Sequence, residues 1–540
     1  MVSAQHRFAW LTGLLFILLG VLAYANTFHV PFILDDVSNI VENPSIRMES
    51  FSGPALRQSL TDNLIPNRPL AYLSFALNYL VHGYALPGYH VVNLVIHILT
   101  GFVLFLLLAR TMVLAGQSRE DQFPSVAFWA ALLWLLHPLQ TNAVTYIVQR
   151  MTSMAALFYV LAVLLYVVGR TADSLRHRLL FFGCAALAGL AALGSKEIAV
   201  TLPVAVVLYE WYFFQRLDRA WLNRKLPQLL GVTAAIAVVS LFFLGSQPLE
   251  SILSSYAVRH FTLGERLLTE PRVVFFYISL LAFPPPSRLT LEHDFSLSHA
   301  LFSPPSTALA LFGLAALAGA VVYFARRQPL LSFAILWFLV NLVIESSFIG
   351  LELVFEHRLY LSSMFLFAPA VEIFQRSIKS KGFRQILLVI VAAILCLWTY
   401  QRNMDWANPV RFWTDCVTKA PLKSRPYNEL GLAYYEQNRL AEALPIFAEA
   451  VRLDPGDPEA YYNQAIVLSE MGRYGEAALR YADALRYSPG DPDIHNNLGI
   501  TLEKLGRWSE AMQHYRLSLQ IDPNHPEARR NFARLSSRHR

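Results

Sequence analysis

The chain has 540 residues, of which 55% are hydrophobic and 15% are charged, and its formal net charge is +6. Soluble domains carry roughly 25% charged residues, so this composition excludes a wholly water-soluble protein of this size. The apolar residues are concentrated in residues 8–400, whereas residues 401–540 read as an ordinary soluble helical domain. We therefore predict an all-α protein with a membrane domain over residues 1–400 and a soluble domain over residues 401–540.

The positive net charge does not indicate nucleic-acid binding. Most lysines and arginines of the membrane half lie in short loops between apolar runs, where such residues set the orientation in the membrane. The three cysteines, Cys184, Cys396 and Cys416, are too few and too scattered for a disulfide framework or a metal site. The sequence has no CxxC, HExxH or phosphate-loop motif.

The membrane half contains about eleven apolar runs of the length that a span needs, roughly 17 to 25 residues. The first is not followed by a small-residue cleavage site, so we predict a retained span rather than a signal peptide. A shorter run at 271–283 precedes three prolines and better fits a re-entrant or interfacial helix. The predicted spans are 8–24, 90–109, 125–140, 152–169, 179–194, 198–214, 227–245, 306–325, 329–349, 359–375 and 385–400.

The loop charges orient these spans. If the N-terminus is cytoplasmic, every cytoplasmic loop carries lysine or arginine, as the positive-inside rule requires. These loops are 110–124, 170–178, 215–226, 326–328 and 376–384. An odd number of spans then places the soluble domain on the opposite side. This side is the periplasm for a bacterial inner-membrane protein, or the lumen for a protein of the endoplasmic reticulum membrane.

A period of 34 residues runs through the soluble domain, in alanines 443, 477 and 511 and in prolines 455, 489 and 523. Phe447, Tyr481 and Tyr515 follow the same spacing, which is the tetratricopeptide pattern. Tetratricopeptide arrays form a concave groove that holds extended peptides or a partner helix; a rigid spacer or a dimer contact is the alternative. We predict a partial repeat at 406–421, repeats at 424–457, 458–491 and 492–525, and a capping helix at 526–537.

Ionisable residues in the outside loops are candidates for function. Asp35 and Asp36 follow the first span, and paired carboxylates can supply a general base or hold a divalent cation; a helix cap or a solvated turn is the alternative. Histidines, acids and cations also occur in later outside loops. Together they suit transfer from a lipid-linked phosphate, because cations neutralise the leaving phosphate while a carboxylate takes a proton from the attacking hydroxyl.

Several motifs carry a family resemblance: FILDDVSNIVENPSI, NRPLAYLSFALNY, HPLQTNAVTYIVQR, GSKEIAVTLP and EHRLYLSS, all ahead of the repeats. Together they resemble the tetratricopeptide-containing membrane glycosyltransferases of the C-type superfamily. This group includes bacterial members and the eukaryotic transmembrane-and-tetratricopeptide O-mannosyltransferases. The resemblance covers essentially the whole chain. It implies inverting transfer of a sugar from a polyprenyl-phosphate donor to an acceptor, such as a protein Ser or Thr hydroxyl, on the periplasmic or lumenal face.

The resemblance also implies roles for individual residues. Asp35 is the implied base, and Asp36 would orient the acceptor or bind a divalent cation weakly. Asn142 stands where relatives often carry an acid, which argues against an acidic role at that turn. The implied ligands of the donor phosphate are Arg68, Arg150, Lys196 and Arg358. The implied sugar or acceptor pocket contains His90, Gln149, Glu197, His293, Asp294, Glu356 and Tyr360.

Two other functions remain open at this stage. A non-catalytic scaffold would recruit envelope proteins through the repeats, but it has no need for charged groups in five outside loops. A lipid or glycan transporter would place polar residues in the middle of its spans, where few occur. The expected partners are therefore a polyprenyl-phosphate sugar, an acceptor protein or peptide in the groove, and membrane lipid, without nucleic acid.

Overall fold

The computed structural model describes residues 2–116, 123–228, 231, 250, 253–257 and 259–538. The regular structure of these residues is helical, and no β-strand occurs among them. The all-α fold predicted from the sequence is confirmed.

The chain divides into two compact units. The first unit contains Met1–Leu291 and Phe295–Ala407, and the second contains Glu292–Asp294 and Asn408–Arg540. The helix Lys381–Trp406 continues past residue 400, where the apolar composition ends. The boundary between the two units therefore lies after Ala407, a few residues beyond the predicted domain boundary.

The first unit consists of helices that alternate with ordered turns. Its helices are α1 (Val2–Tyr24), α2 (Gly53–Thr61), α3 (Pro69–His82), α4 (Leu86–Leu114), α5 (Phe123–Leu135), α6 (Thr141–Val144), α7 (Arg150–Arg170), α8 (Leu175–Leu193), α9 (Leu202–Tyr209), α10 (Leu263–Ala282), α11 (Ser306–Phe324), α12 (Pro329–Leu342), α13 (Leu359–Ser362), α14 (Phe367–Ser377) and α15 (Lys381–Trp406).

Six helical segments among the described residues are long and apolar enough to cross a membrane. Three shorter apolar helices accompany them: Ala9–Tyr24, Ser125–Leu135 and Pro329–Leu342. The predicted span at 227–245 lies almost entirely outside the described residues, and the total of eleven stays a prediction. The six segments are Leu86–Leu114, Ile147–Arg170, Leu175–Leu193, Glu197–Phe214, Ser306–Phe324 and Lys381–Trp406.

Several predicted spans end early or break, which corrects their predicted bounds. The run at 125–140 leaves the helix after Leu135, because Pro138 follows closely and disfavours helical backbone before it. The run at 329–349 ends its helix at Leu342. The run at 359–375 is two helices, α13 and α14, and Pro369 removes a backbone donor at the start of the second. The expected short helix at 271–283 instead begins at Leu263.

The spanning helices differ in what they contact. α7 lies in the main apolar core, with Val160 and Val163 fully buried. α8 and α11 instead expose large apolar side chains, including Leu190 and Phe312. A lipid surround accepts such side chains, while helical hydrogen bonding satisfies the backbone. The packed centre of the first unit is therefore built around helices such as α4 and α7.

The second unit is a tetratricopeptide array, as predicted. Asp457 and Asp491 cap two of its helices, each by accepting a hydrogen bond from the second helical residue. The helices are α16 (Pro409–Lys419), α17 (Ser424–Glu436), α18 (Leu440–Leu453), α19 (Pro458–Glu470), α20 (Tyr474–Tyr487), α21 (Pro492–Lys504), α22 (Trp508–Ile521) and α23 (Pro526–Arg538).

The same contacts recur from repeat to repeat. Gly431 lies against the ring of Phe447, and Gly499 lies against the ring of Tyr515, so that each pair of helices meets closely. An arginine and a glutamate three residues later form an ion pair at the start of each second helix. These pairs are Arg439–Glu442, Arg473–Glu476 and Arg507–Glu510.

Substitution of Gly431 by alanine is expected to destabilise the array, because a methyl group there would lie 2.6 Å from the Phe447 ring. Overpacking of this kind costs roughly 1–3 kcal/mol of unfolding free energy. Gly475 is the matched control, since nothing lies within 4 Å of its added methyl group. Proteolysis of the full chain in increasing urea measures the difference. Equal urea midpoints for Gly431→Ala and Gly475→Ala would contradict the packing described here.

Candidate functional site

The carboxylate of Asp36 is buried and joins two distant segments. One oxygen accepts a hydrogen bond from the backbone N–H of Val148 at 2.6 Å, and the other accepts from Ile33 at 3.1 Å. Burial raises the pKa of Asp36 to about 8, while the backbone N–H groups act in the opposite direction. Asp36 thereby holds the loop after α1 against the turn that precedes α7.

Asp35 points the other way, and its side chain is exposed. Its backbone N–H donates to the hydroxyl oxygen of Tyr146 at 3.0 Å, and its carbonyl accepts from the Asn39 amide at 2.8 Å. The Tyr72 hydroxyl donates to Asn39 at 2.6 Å. Tyr146 and Asn39 thus hold the Asp35 backbone, Tyr72 holds Asn39, and the Asp35 side chain stays exposed. None of these three residues was predicted from the sequence.

Tyr72 also shows which charges lie near Asp35. Burial raises the pKa of Tyr72 to about 12, and the charges of Arg68, Glu197 and Asp35 all act on its hydroxyl. Arg68 forms an ion pair with Glu197 at 2.9 Å, and both side chains are partly exposed. The Leu70 N–H donates to the Gly194 carbonyl at 2.9 Å and joins the two loops. The cation Arg68 and the acid Asp35 therefore both lie near the Tyr72 hydroxyl.

Lys196 has a buried partner, Glu345. Its Nζ lies 2.8 Å from the Glu345 carboxylate and 3.0 Å from the Thr152 hydroxyl, which itself donates to Gln149 at 2.7 Å. Burial raises the pKa of Glu345, but the positive charges around it, that of Lys196 first, together with the hydrogen bond from Lys196 outweigh burial and lower that pKa to about 2. Glu345 was missed because it falls inside the predicted span 329–349. An acid at the end of an apolar run was the available signal.

Arg358 and His357 stand in the turn Glu356–Arg358. Arg358 donates to the carbonyls of Leu353 at 2.8 Å and Glu352 at 2.6 Å. Its Nε is buried and has no hydrogen-bond partner among the described residues. His357 lies 3.1 Å from the Asn142 side-chain oxygen, and burial lowers the pKa of its ring far below the usual value. The imidazole is therefore neutral at pH 7.

These residues form one polar cluster in the first unit. The charges of Lys196, Glu345, Arg358 and Arg68 all act on His357, and Arg68 also acts on Tyr72 beside Asp35. We use "polar cluster" for Asp35, Arg68, Tyr72, Lys196, Glu197, Glu345, His357 and Arg358. It contains Asp35 and three of the four cations that the resemblance implied for the phosphate.

The fourth cation, Arg150, is engaged elsewhere. Its guanidinium is fully buried, and each of its nitrogens has an acceptor. Nε donates to Asn93 at 2.6 Å, and the other nitrogens donate to the Tyr89 carbonyl, to Ser74 and to Asn78. Arg150 therefore clamps α3 and α4 to α7, and its role as a phosphate ligand stays a prediction.

Other implied pocket residues form hydrogen bonds within the fold, and their place in a pocket stays a prediction. The Tyr360 hydroxyl is fully buried and bonded to His97 Nδ1 at 2.9 Å. His90 Nε2 bonds the Val30 carbonyl at 2.9 Å, and Glu356 accepts from the Thr290 N–H at 2.7 Å. Gln149 is tied to Thr152, as described above. His293 and Asp294 belong to the second unit.

The two adjacent aspartates do not fit a divalent-cation site. Both oxygens of Asp36 already accept hydrogen bonds from backbone N–H groups, so of the two carboxylates only that of Asp35 is exposed to a ligand. No group of three or more His, Cys, Asp or Glu residues in the described part of the chain is arranged to hold a metal ion.

Substitution of Asp36 by asparagine is expected to destabilise the membrane domain. The amide has one acceptor oxygen, so one of the two backbone N–H groups loses its partner, at a cost of roughly 1–3 kcal/mol. Asp35→Asn is the matched control, because the Asp35 carboxylate is exposed. Thermal aggregation of the detergent-solubilised chain reports the difference. A midpoint for Asp36→Asn as high as that for Asp35→Asn would rule out the anchoring role.

Comparisons with known proteins agree with this architecture. Two tetratricopeptide-repeat family models match residues 431–472 and 462–526. A solved structure, the Arabidopsis OM64 TPR domain, matches with 23% identity over 21% of this chain and 95% of its own, at a TM-score of 0.21.

Curated relatives match most of the chain. The "Protein O-mannosyl-transferase Tmtc3" of Drosophila melanogaster is 27% identical over 82% of this chain and 55% of its own length. The human "Protein O-mannosyl-transferase TMTC3" is 23% identical over 82% of this chain and 51% of its own. The chain thus spans about half the length of these relatives. The matches confirm the resemblance seen in the motifs: the chain is a homologue of the transmembrane-and-tetratricopeptide O-mannosyltransferases, related to them along most of its length.

Proposed function

We propose that the chain is a membrane glycosyltransferase that moves a sugar from a polyprenyl-phosphate donor to a hydroxyl of an acceptor protein. The observation that carries the proposal is the polar cluster, in which an exposed carboxylate, Asp35, shares one region with three cations. The names of the homologues support protein as acceptor and mannose as the first sugar to test.

Asp35 is the proposed general base. Its carboxylate takes the proton from the acceptor hydroxyl as the hydroxyl oxygen attacks the anomeric carbon of the sugar. The bond between that carbon and the phosphate oxygen breaks, and polyprenyl phosphate leaves. A single displacement of this kind inverts the anomeric configuration and needs no second carboxylate as nucleophile.

The leaving phosphate gains negative charge, and the cations of the polar cluster are the proposed stabilising groups. Lys196 has three ammonium hydrogens and gives two to Glu345 and Thr152, which leaves one for a phosphate oxygen. Arg358 retains its buried Nε–H, and Arg68 is partly exposed in its pair with Glu197. Neutral His357 can accept or donate a hydrogen bond without adding a fourth positive charge.

The tetratricopeptide array is the proposed binding surface for the acceptor polypeptide. Stacked repeats form a concave surface suited to extended peptides. Under the predicted orientation, an odd number of spans puts this array and Asp35 on the same side of the membrane, either periplasmic or lumenal. An acceptor held by the array would then be available to the site that modifies it.

Asp35→Asn is expected to reduce transfer at least about hundredfold, because loss of a general base typically costs that much or more. Radiolabelled mannose transferred from a polyprenyl phosphate to a Ser/Thr-rich peptide by the purified full chain is the measurement. Glu42→Gln, the same change at an exposed acid in the same loop, serves as control and should retain activity. Retained transfer in Asp35→Asn would remove the proposed base. No transfer by the unmodified chain with any sugar would favour the scaffold alternative.

A reporter joined after Arg540 is expected on the non-cytoplasmic side. Alkaline phosphatase is active only outside the cytoplasm and should be active there, whereas a fluorescent protein that folds only in the cytoplasm should be dark. A fusion after Arg327 should give the opposite pattern. A cytoplasmic signal after Arg540 would overturn both the orientation and the proposed role of the array.

A further inference from the structure

We propose that Glu345 is a positioning residue for the donor phosphate: its carboxylate fixes the ammonium group of Lys196 and so determines where that phosphate binds. The inference rests on the proposed function, since it assigns Lys196 to the phosphate. It adds a residue that no motif of the chain singled out.

The geometry gives Lys196 a defined direction. Glu345 and the Thr152 hydroxyl hold its Nζ at 2.8 and 3.0 Å, and the Lys196 and Glu345 side chains are only 8% and 9% exposed. A lysine ammonium normally rotates freely on a flexible stem. With two hydrogens engaged, the third is left pointing in one direction, which is the condition for placing a phosphate oxygen.

Glu345 is itself held rigidly. Arg266, on α10, donates to the Glu345 carbonyl at 2.9 Å and to the Ser347 carbonyl at 2.8 Å. Arg259 donates to the Gly350 carbonyl at 2.9 Å. Residues 345–350 are thus pinned to the segment around α10, and the Glu345 carboxylate is brought to Lys196 by a fixed backbone.

The charges around Lys196 explain why it needs this partner. Burial lowers the pKa of Lys196, and the nearby Arg68 acts in the same direction. Glu345 and Glu197 act in the opposite direction, and neutral His357 is also close. Of the two acids, only Glu345 bonds the ammonium directly. Without it, Lys196 would lose its proton at a lower pH and no longer attract the phosphate.

The test is the pH dependence of the KM for a polyprenyl-phosphate mannose, measured with the purified full chain. Glu345→Gln is expected to raise this KM about tenfold at pH 7, the size of one bond to a charged group. The KM should rise at alkaline pH as Lys196 loses its proton, and in Glu345→Gln this rise, the alkaline limb of the profile, should begin at a lower pH. Glu345→Asp retains the charge and should keep the alkaline limb in place. Glu42→Gln, the same change at an exposed acid outside the polar cluster, should alter neither quantity.

The double variant Lys196→Gln/Glu345→Gln covers the case in which Glu345→Gln does not fold. It leaves no unpaired buried charge, so it is expected to fold better than either single variant. Its donor KM should equal that of Lys196→Gln, because Glu345 acts through Lys196. The inference would be overturned if the double variant had the same donor KM as the unsubstituted protein, or if Glu345→Gln had the same pH profile of KM as that protein. If Asp35→Asn is nevertheless inactive, the proposed function stands and only the role of Glu345 is lost.

Discussion

The double hydrogen bond of Asp36 is the constraint on which the site depends. It joins the backbone N–H group of Ile33, beside α1, to that of Val148, beside α7, which lies 112 residues after Asp36. Buried N–H groups without a partner are costly, so the carboxylate stabilises both segments in one arrangement. Asp35 directly precedes Asp36 in the chain, so this bond also fixes the position of Asp35. The side chain of Asp36 is buried, whereas that of Asp35 is exposed. An adjacent pair of acids thus divides into a buried anchor, Asp36, and an exposed acid, Asp35, which is the proposed base.

Buried guanidinium groups complete the framework. Arg150 and Arg266 are fully buried; Arg150 has backbone and side-chain oxygen acceptors, and Arg266 has backbone carbonyls and the carboxylate of Glu270 at 2.8 Å. The cost of taking a cation out of water is offset only when its hydrogens find such partners. These arginines tie loops to helices and are saturated. Lys196, by contrast, gives only two of its three ammonium hydrogens to Glu345 and Thr152, and the third is the basis for proposing it as a ligand of the phosphate.

The features that could be predicted from the sequence are those that repeat along the chain or form a local pattern. The helical class, the tetratricopeptide period and the acids after the first span all follow from spacing and composition. Sequence patterns could not separate Arg150 from Arg358, which are the same residue type in the same kind of loop. Their difference arises from Asn78 and Asn93, which are distant in sequence and meet Arg150 only in the folded chain. Glu345 was hidden for a related reason: α12 stops three residues before it, and hydropathy alone did not mark that end.

The recurrent contacts of the array bear on how its length can change. Every 34 residues the same arginine–glutamate pair returns, and in two of the repeats an aromatic ring lies against a glycine. Neighbouring repeats also meet through equivalent contacts, because Asn463 donates to Asn428 as Asn531 donates to Asn496. A gene duplication that inserts one whole unit creates no new interface, only another copy of an existing one. The length of the array can thus change in evolution by the gain or loss of whole repeats. The membrane domain cannot change in this way, because its segments are joined by specific contacts between residues far apart in the sequence.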